Sequence, residues 1–166
     1  MKMMETAYFA GGCFWCITPV FLEKSGVRNV ESGYCGGSEV NPTYEDVKNQ
    51  RTGHRETVRV EFDPEQVCFA ELMQVFLNGV DPFDGEGQFI DRGHSYTLAV
   101  YYTNETQHKA AAAALEALRA EKGREVWVSL EPYECFYRAE EYHQDFYKKN
   151  PEKFEQELIE SGRIRL

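Results

Sequence analysis

Between Thr57 and Phe62 the chain alternates cleanly. Val58, Val60 and Phe62 fall on one face and Thr57, Arg59 and Glu61 on the other, the pattern of a half-buried strand that Asp63-Pro64 ends. The apolar run Ala7-Tyr8-Phe9-Ala10 predicts an earlier strand, near Thr6–Ala10, with a helix after it near Phe14–Lys24. Pro19 is awkward in that helix because it has no N–H to donate. Either the helix kinks, or it becomes regular only after Thr18, with Thr18 as N-cap and Pro19 in the first helical position. Val27–Tyr34 reads as a strand running into Cys35-Gly36-Gly37, and Asn41-Pro42-Thr43 opens a helical turn through Val47. Leu72, Val75 and Phe76 recur at helical spacing within Phe69–Leu77, which Gly79 stops. A loop rich in Gly, Asp and Phe runs from Asp81 to about Gly93, a length typical of functional loops. Thr97–Tyr102 is a strand, Thr103 and Asn104 open the helix Glu105–Lys122, and Val126–Leu130 is a strand. Ala139–Lys148 and Glu152–Glu160 read as two short helices.

The first elements run strand–helix–strand, strand–helix–strand. That order predicts an α+β protein with a ferredoxin-like split βαβ core, a two-layer sandwich of one sheet with helices on a face. With 166 residues, no internal repeat and no Pro/Ser-rich linker, the expectation is one catalytic domain over residues 1–166. A formal net charge of -10 with no basic stripe argues against a nucleic-acid partner. No run is long and apolar enough to span a membrane, and the opening Met1–Thr6 lacks a signal-peptide core. Five scattered cysteines, an odd number, do not resemble a secreted disulfide scaffold, so a cytoplasmic protein with reduced cysteines is expected.

The chemistry concentrates in Gly11-Gly12-Cys13-Phe14-Trp15-Cys16, at the predicted strand-to-helix junction. There Cys13 would sit beside free N–H groups and the positive end of the helix dipole, both of which favour a thiolate. Cys16, three positions on, falls within disulfide reach if both lie in one helical turn. From the residues alone four readings stand: two buried cysteines acting as small hydrophobes, a zinc site of Cys13, Cys16, Cys35 and a histidine, a thioredoxin-like oxidoreductase, or a reductase using Cys13 on a small electrophile with a second cysteine resolving the product.

Gly12-Cys13-Phe14-Trp15 resembles the active-site signature of the type A peptide methionine sulfoxide reductases. Gly33-Tyr34-Cys35-Gly36-Gly37, Asn41-Pro42-Thr43-Tyr44, Thr52-Gly53-His54-Arg55-Glu56 and Phe62-Asp63-Pro64 follow in that family's order. So do Asp81-Pro82, Gln88, Asp91, Gly93 and Tyr96, then Ala139-Glu140-Glu141-Tyr142-His143-Gln144 and Lys149-Asn150-Pro151. The resemblance spans about Phe9 to Pro151 and implies reduction of methionine S-sulfoxide, free or in oxidised proteins, through a cysteine sulfenic acid. It implies no metal or other cofactor, thioredoxin as electron donor, and a monomer.

By the same resemblance Cys13 is the nucleophile, Glu56 the acid, and Tyr44 and Tyr96 the hydrogen-bond donors to the sulfoxide oxygen. Asp91 orients a water or the oxygen side, and Phe14 and Trp15 form the seat for the substrate methyl group. For Glu56 to act as an acid at neutral pH, burial must raise its pKa. His54 reads as structural. The chain departs from the family in three places. It has no cysteine after Cys135, Cys16 stands where many relatives carry Gly, and Tyr96-Thr97-Leu98 replaces Tyr-Arg-Ser. The first two make Cys16 the leading resolving candidate and Cys35 the second, with direct reduction by an external thiol as the remaining route; Cys68 and Cys135 read as packing residues.

Overall fold

The N-terminal apolar run becomes β1 (Glu5–Gly11) and leads into α1 (Phe14–Leu22) in the computed structural model, which describes residues 3–160. β2 (Val27–Cys35), α2 (Tyr44–Lys48), β3 (Arg55–Phe62) and α3 (Phe69–Asn78) follow. The expected loop after Gly79 holds a small hairpin, β4 (Gly87–Gln88) with β5 (Asp91–Arg92), and a 3-10 turn at His94–Tyr96. β6 (Leu98–Tyr102), α4 (Glu105–Lys122), β7 (Val128–Pro132) and β8 (Phe136–Arg138) come next. A 3-10 turn at Glu141–His143, α5 (Phe146–Lys149) and α6 (Pro151–Glu160) complete the described chain.

The chain is a mixed α/β protein built on one six-stranded sheet in the order β7-β6-β1-β3-β2-β8. Strand pairs are antiparallel except β6 with β7, which are parallel. Residue alternation sorts the two faces. Ala7, Phe9, Val58, Val60, Phe62, Leu98 and Val100 point into the main core, where α1, α3 and α4 bury Phe14, Ile17, Phe21, Leu72, Phe76 and Leu115. Tyr8, Ala10, Cys35, Ala99 and Tyr101 form a second cluster on the other face, covered by Tyr133 and Phe136.

The expected caps are present. Thr43 Oγ1 accepts the Asp46 N–H, and the Asn104 side chain accepts that of Gln107. Pro19 lies inside α1, which is helical from Phe14 onward, so the reading that starts the helix after Thr18 is corrected. Thr18 instead hydrogen-bonds its hydroxyl back to the Phe14 carbonyl at 2.7 Å.

The expected helix Ala139–Lys148 is also corrected: a 3-10 turn and a separate short helix occupy that stretch. Gln144 is the cause. Its side-chain amide accepts the Ser32 N–H at 2.9 Å and donates to the Ser32 carbonyl at 2.9 Å, continuing the β2 ladder past the end of β8. Asp145 then adopts a left-handed backbone (φ 52°) before α5 begins. Tertiary hydrogen bonding at a buried position outweighs local helix propensity here.

Candidate active site

Gly12 takes φ 84°, a left-handed conformation that costs glycine nothing, and turns the chain from β1 into α1. Cys13 is the extended residue that caps the helix, and its carbonyl accepts the N–H groups of Cys16 at 3.1 Å and Ile17 at 3.4 Å. Cys13 and Cys16 therefore share one turn, and their side chains hydrogen-bond with each other. That places them within the span of a disulfide.

The expected resting thiolate is corrected. The Cys13 thiol is held well above its ordinary pKa, first by the hydrogen bond with Cys16, then by burial and by the negative charge of its neighbours Glu56 and Asp91. The first free N–H of α1 is already occupied: Phe14 N–H donates to Glu56 Oε1 at 3.1 Å.

Glu56 is two residues before Val58, so β3 carries its side chain on the same inward face as Val58, Val60 and Phe62. It is 1% exposed. Burial pushes its pKa up to about 8; the Phe14 N–H and the Tyr96 hydroxyl work against the rise, and Asp91 and Cys16 add to it. Its Oε2 is buried without a hydrogen-bond partner. A protonated carboxyl with one oxygen anchored to a helix start and the other unsatisfied is a buried acid waiting for an acceptor.

Tyr96, at the end of the first 3-10 turn, is buried beside Glu56. Tyr44 opens α2 and packs its ring near Phe14, Trp15 and His143, with centroids 6.3, 6.1 and 4.2 Å away. Burial raises both phenol pKa values, so both are neutral donors at physiological pH. Asp91, on β5, is close enough for its charge to act on Cys13, Glu56, Tyr44 and Tyr96 together. Phe14 and Trp15 form an aromatic wall that Tyr44, His143 and Phe146 extend, Trp15 stacking on Phe146 at 4.1 Å.

Three supports surround these residues, of which Glu140 and Phe146 were not singled out from sequence. Glu140 bridges two elements: Oε1 accepts the Tyr34 hydroxyl at 2.7 Å and Oε2 the Tyr44 N–H at 3.0 Å. His143 Nδ1 accepts the Trp15 indole N–H at 2.9 Å, and burial lowers the imidazole pKa to about 4, so the ring is neutral and its proton sits on Nε2. Phe146 is the stacking partner just described. The signal for the first two was the late motif Ala139–Gln144, which gives order but no partner.

The family model for peptide methionine sulfoxide reductase matches residues 5–166. The chain belongs to the peptide methionine sulfoxide reductase family. The MsrA of Streptococcus equi subsp. equi is 46% identical over 156 residues, covering 92% of each chain. The solved methionine sulfoxide reductase A of Corynebacterium diphtheriae is 32% identical with a TM-score of 0.80, over 89% of this chain and 76% of that one. Mxr1 from Saccharomyces cerevisiae in reduced form gives a TM-score of 0.85 at 26% identity, over 91% and 87%. Mxr1 in complex with Trx2 gives 0.59 at 19%, over 86% and 84%.

The reaction of this reductase is therefore the reduction of methionine sulfoxide. Its other cysteines stand apart from Cys13 and Cys16. Cys35 lies in the cluster on the other face of the sheet, donates from Sγ to the Cys135 carbonyl, and has its pKa pushed up by burial to about 12. The zinc set of Cys13, Cys16, Cys35 and a histidine does not converge, and among the described residues no group of three or more His, Cys, Asp or Glu side chains is arranged to hold a metal ion. Cys135 is half-buried. Cys68 is not a packing residue, as expected from sequence, but the exposed cap of α3, paired reciprocally with Glu71. His54 is fully buried; its Nδ1 accepts the Gly37 N–H at 3.1 Å and its Nε2 bonds the Glu39 carbonyl at 2.8 Å, which pins the Gly-rich loop. Thr97, at the departure from Tyr-Arg-Ser, accepts from Arg55 Nε at 2.8 Å and donates to the His94 carbonyl, so the change is met at the start of β6. Among the described residues no helix is long and apolar enough to cross a membrane.

Proposed function

We propose that Cys13 reduces the S epimer of methionine sulfoxide, free or in oxidised proteins, with Glu56 as the acid. The observation that carries this reading is the buried Glu56 carboxyl, protonated near neutrality, with Oε1 on the Phe14 N–H and Oε2 unsatisfied. A sulfoxide oxygen entering the site supplies the missing acceptor. Tyr44 and Tyr96 donate to the same oxygen, while Phe14 and Trp15 seat the methyl group. Asp91 sets the charge on the oxygen side.

The steps balance as follows. Glu56 gives its proton to the sulfoxide oxygen and takes the Cys13 thiol proton as the sulfur attacks. Oxygen passes to Cys13, leaving methionine and a Cys13 sulfenic acid. The Cys16 thiol then condenses with the sulfenic acid, forming the Cys13–Cys16 disulfide and releasing water. Cys16 resolves rather than Cys35 because it already touches Cys13 within one helical turn. Two electrons from a dithiol return the enzyme to its resting state. Thioredoxin is the donor, a reading supported by the Mxr1 complex with Trx2.

The strand order β6-β1-β3-β2, with every neighbour antiparallel, supports a two-layer ferredoxin-like core within a single catalytic domain over residues 1–166. The enzyme acts as a cytoplasmic monomer without cofactor or nucleic acid. Single-turnover chemistry tests the mechanism. Cys16→Ser, given excess methionine sulfoxide and no reductant, is expected to release one equivalent of methionine and leave a dimedone-reactive sulfenic acid on Cys13. Dimedone adduct on another cysteine, or no methionine, contradicts it.

A further inference from the structure

Tyr96 ends a 3-10 turn of only three residues, His94–Tyr96, and its hydroxyl reaches Glu56 on β3. The stretch between α2 and β3 grips that turn. The Gln50 side-chain amide accepts the Ser95 N–H at Oε1 (3.0 Å) and donates from Nε2 to Ser95 Oγ (2.7 Å) and to the Lys48 carbonyl (3.0 Å). His94 Nε2 donates to the Gly53 carbonyl at 3.0 Å, and Arg55, at the start of β3, donates from Nε to Thr97 Oγ1 at 2.8 Å. His94, Ser95 and Thr97, the residues flanking Tyr96, are thus each bonded to the stretch that runs straight into Glu56.

Gln50 is the unusual member of this clasp. Its backbone is left-handed (φ 61°), a conformation that strains a residue with a Cβ. Its side chain packs against Gly93, where a Cβ would stand 2.7 Å from Gln50 Cδ. Gln50 is exposed, and hydrogen bonds that water can replace add little net stability. Glycine would take the same backbone without strain but would leave Ser95 unheld. Backbone strain at an exposed residue, kept without a matching gain in stability, is a mark of function. We propose that Gln50 is a positioning residue, which acts through Ser95 to hold the Tyr96 hydroxyl at the Glu56 carboxyl, where the sulfoxide oxygen enters. The inference rests on Tyr96 as a donor to that oxygen, as proposed above. It adds a residue outside the site that sets the distance between the acid and the phenol.

The test follows the full chain through a single turnover of a methionine sulfoxide peptide without reductant. Gln50→Gly keeps the left-handed backbone and removes both bonds to Ser95. Its rate of methionine formation is expected to fall roughly ten- to a hundredfold. Its melting midpoint is expected to stay within about 3 °C of the wild type, because relief of strain offsets the lost bonds. Gln50→Asn tolerates the same backbone but is one methylene too short to span to Ser95, and is expected to match Gln50→Gly. The fall in rate through about pH 8 is expected to move to higher pH in Gln50→Gly, as Glu56 loses the Tyr96 hydroxyl that works against its raised pKa. In a Tyr96→Phe background Gln50→Gly is expected to cause no further loss, because it acts through Tyr96. A wild-type rate in Gln50→Gly or Gln50→Asn, or a loss that multiplies with that of Tyr96→Phe, overturns the inference. If Tyr96→Phe alone keeps the wild-type rate, the donor role of Tyr96 fails and the inference with it.

Discussion

At Glu56 a single carboxyl carries both the proposed acid chemistry and a stability cost. Its folded pKa of about 8 stands above the ordinary 4.5, so between those values the folded state keeps a proton that the unfolded state has lost. Its contribution to stability is therefore fully present below pH 4.5, declines as pH rises, and levels off above 8. Glu56→Gln cannot ionise. It is expected to be more stable than the wild type by an amount that grows from pH 5 to pH 8, on the order of a few kcal/mol, read from urea melts at the two pH values. The same substitution is expected to slow single-turnover methionine formation by about 10²–10⁴-fold. In the wild type that rate falls as pH rises through about 8, because the acid ionises, and the inflection is absent from Glu56→Gln. Cys13→Ser is expected to abolish turnover while leaving the circular dichroism spectrum and melting midpoint nearly unchanged; full activity in that variant contradicts the role of Cys13. The motif singled out Glu56, but its burial was not legible in the sequence. Thr57–Phe62 marks the alternating stretch, and only the extension of β3 back to Arg55 places Glu56 on the inward face. Nor could spacing show that a distant residue, Glu56, occupies the helix-start N–H next to Cys13.

Among the elements, those with strong local periodicity matched the expectation. The Thr57–Phe62 alternation, the Phe69–Leu77 helix and the capped helix Glu105–Lys122 lie within or on β3, α3 and α4. Between β7 and α6 the expectation failed, because long-range bonds shape that stretch: β8 pairs with β2, and Gln144 ties the following turn to Ser32. These anchors position Glu140 and His143, which hold Tyr44 and Trp15. Gln144→Ala leaves the buried Ser32 N–H unpaired and is expected to cost about 2–3 kcal/mol in urea unfolding. It is also expected to raise KM for a methionine sulfoxide peptide more than it lowers kcat, since it loosens the proposed aromatic seat and leaves the Glu56–Phe14 hydrogen bond intact.

Across the whole molecule, the sheet brings motifs far apart in sequence to one end of α1. Tyr34 pairs with Glu56 across β2 and β3, β1 delivers Cys13, and the segment after β5 delivers Tyr96. The order of motifs could be read from the chain, and so could the reaction class; the packing of α5 and α6 against α1 could not, because no local pattern encodes it. The most direct test of the central claim is stereochemical. A racemic methionine sulfoxide peptide is incubated with the enzyme and dithiothreitol, and the remaining epimers are separated by chiral chromatography. Loss of the S epimer alone, with matching formation of methionine, is the expected result; loss of the R epimer, or of neither, contradicts it.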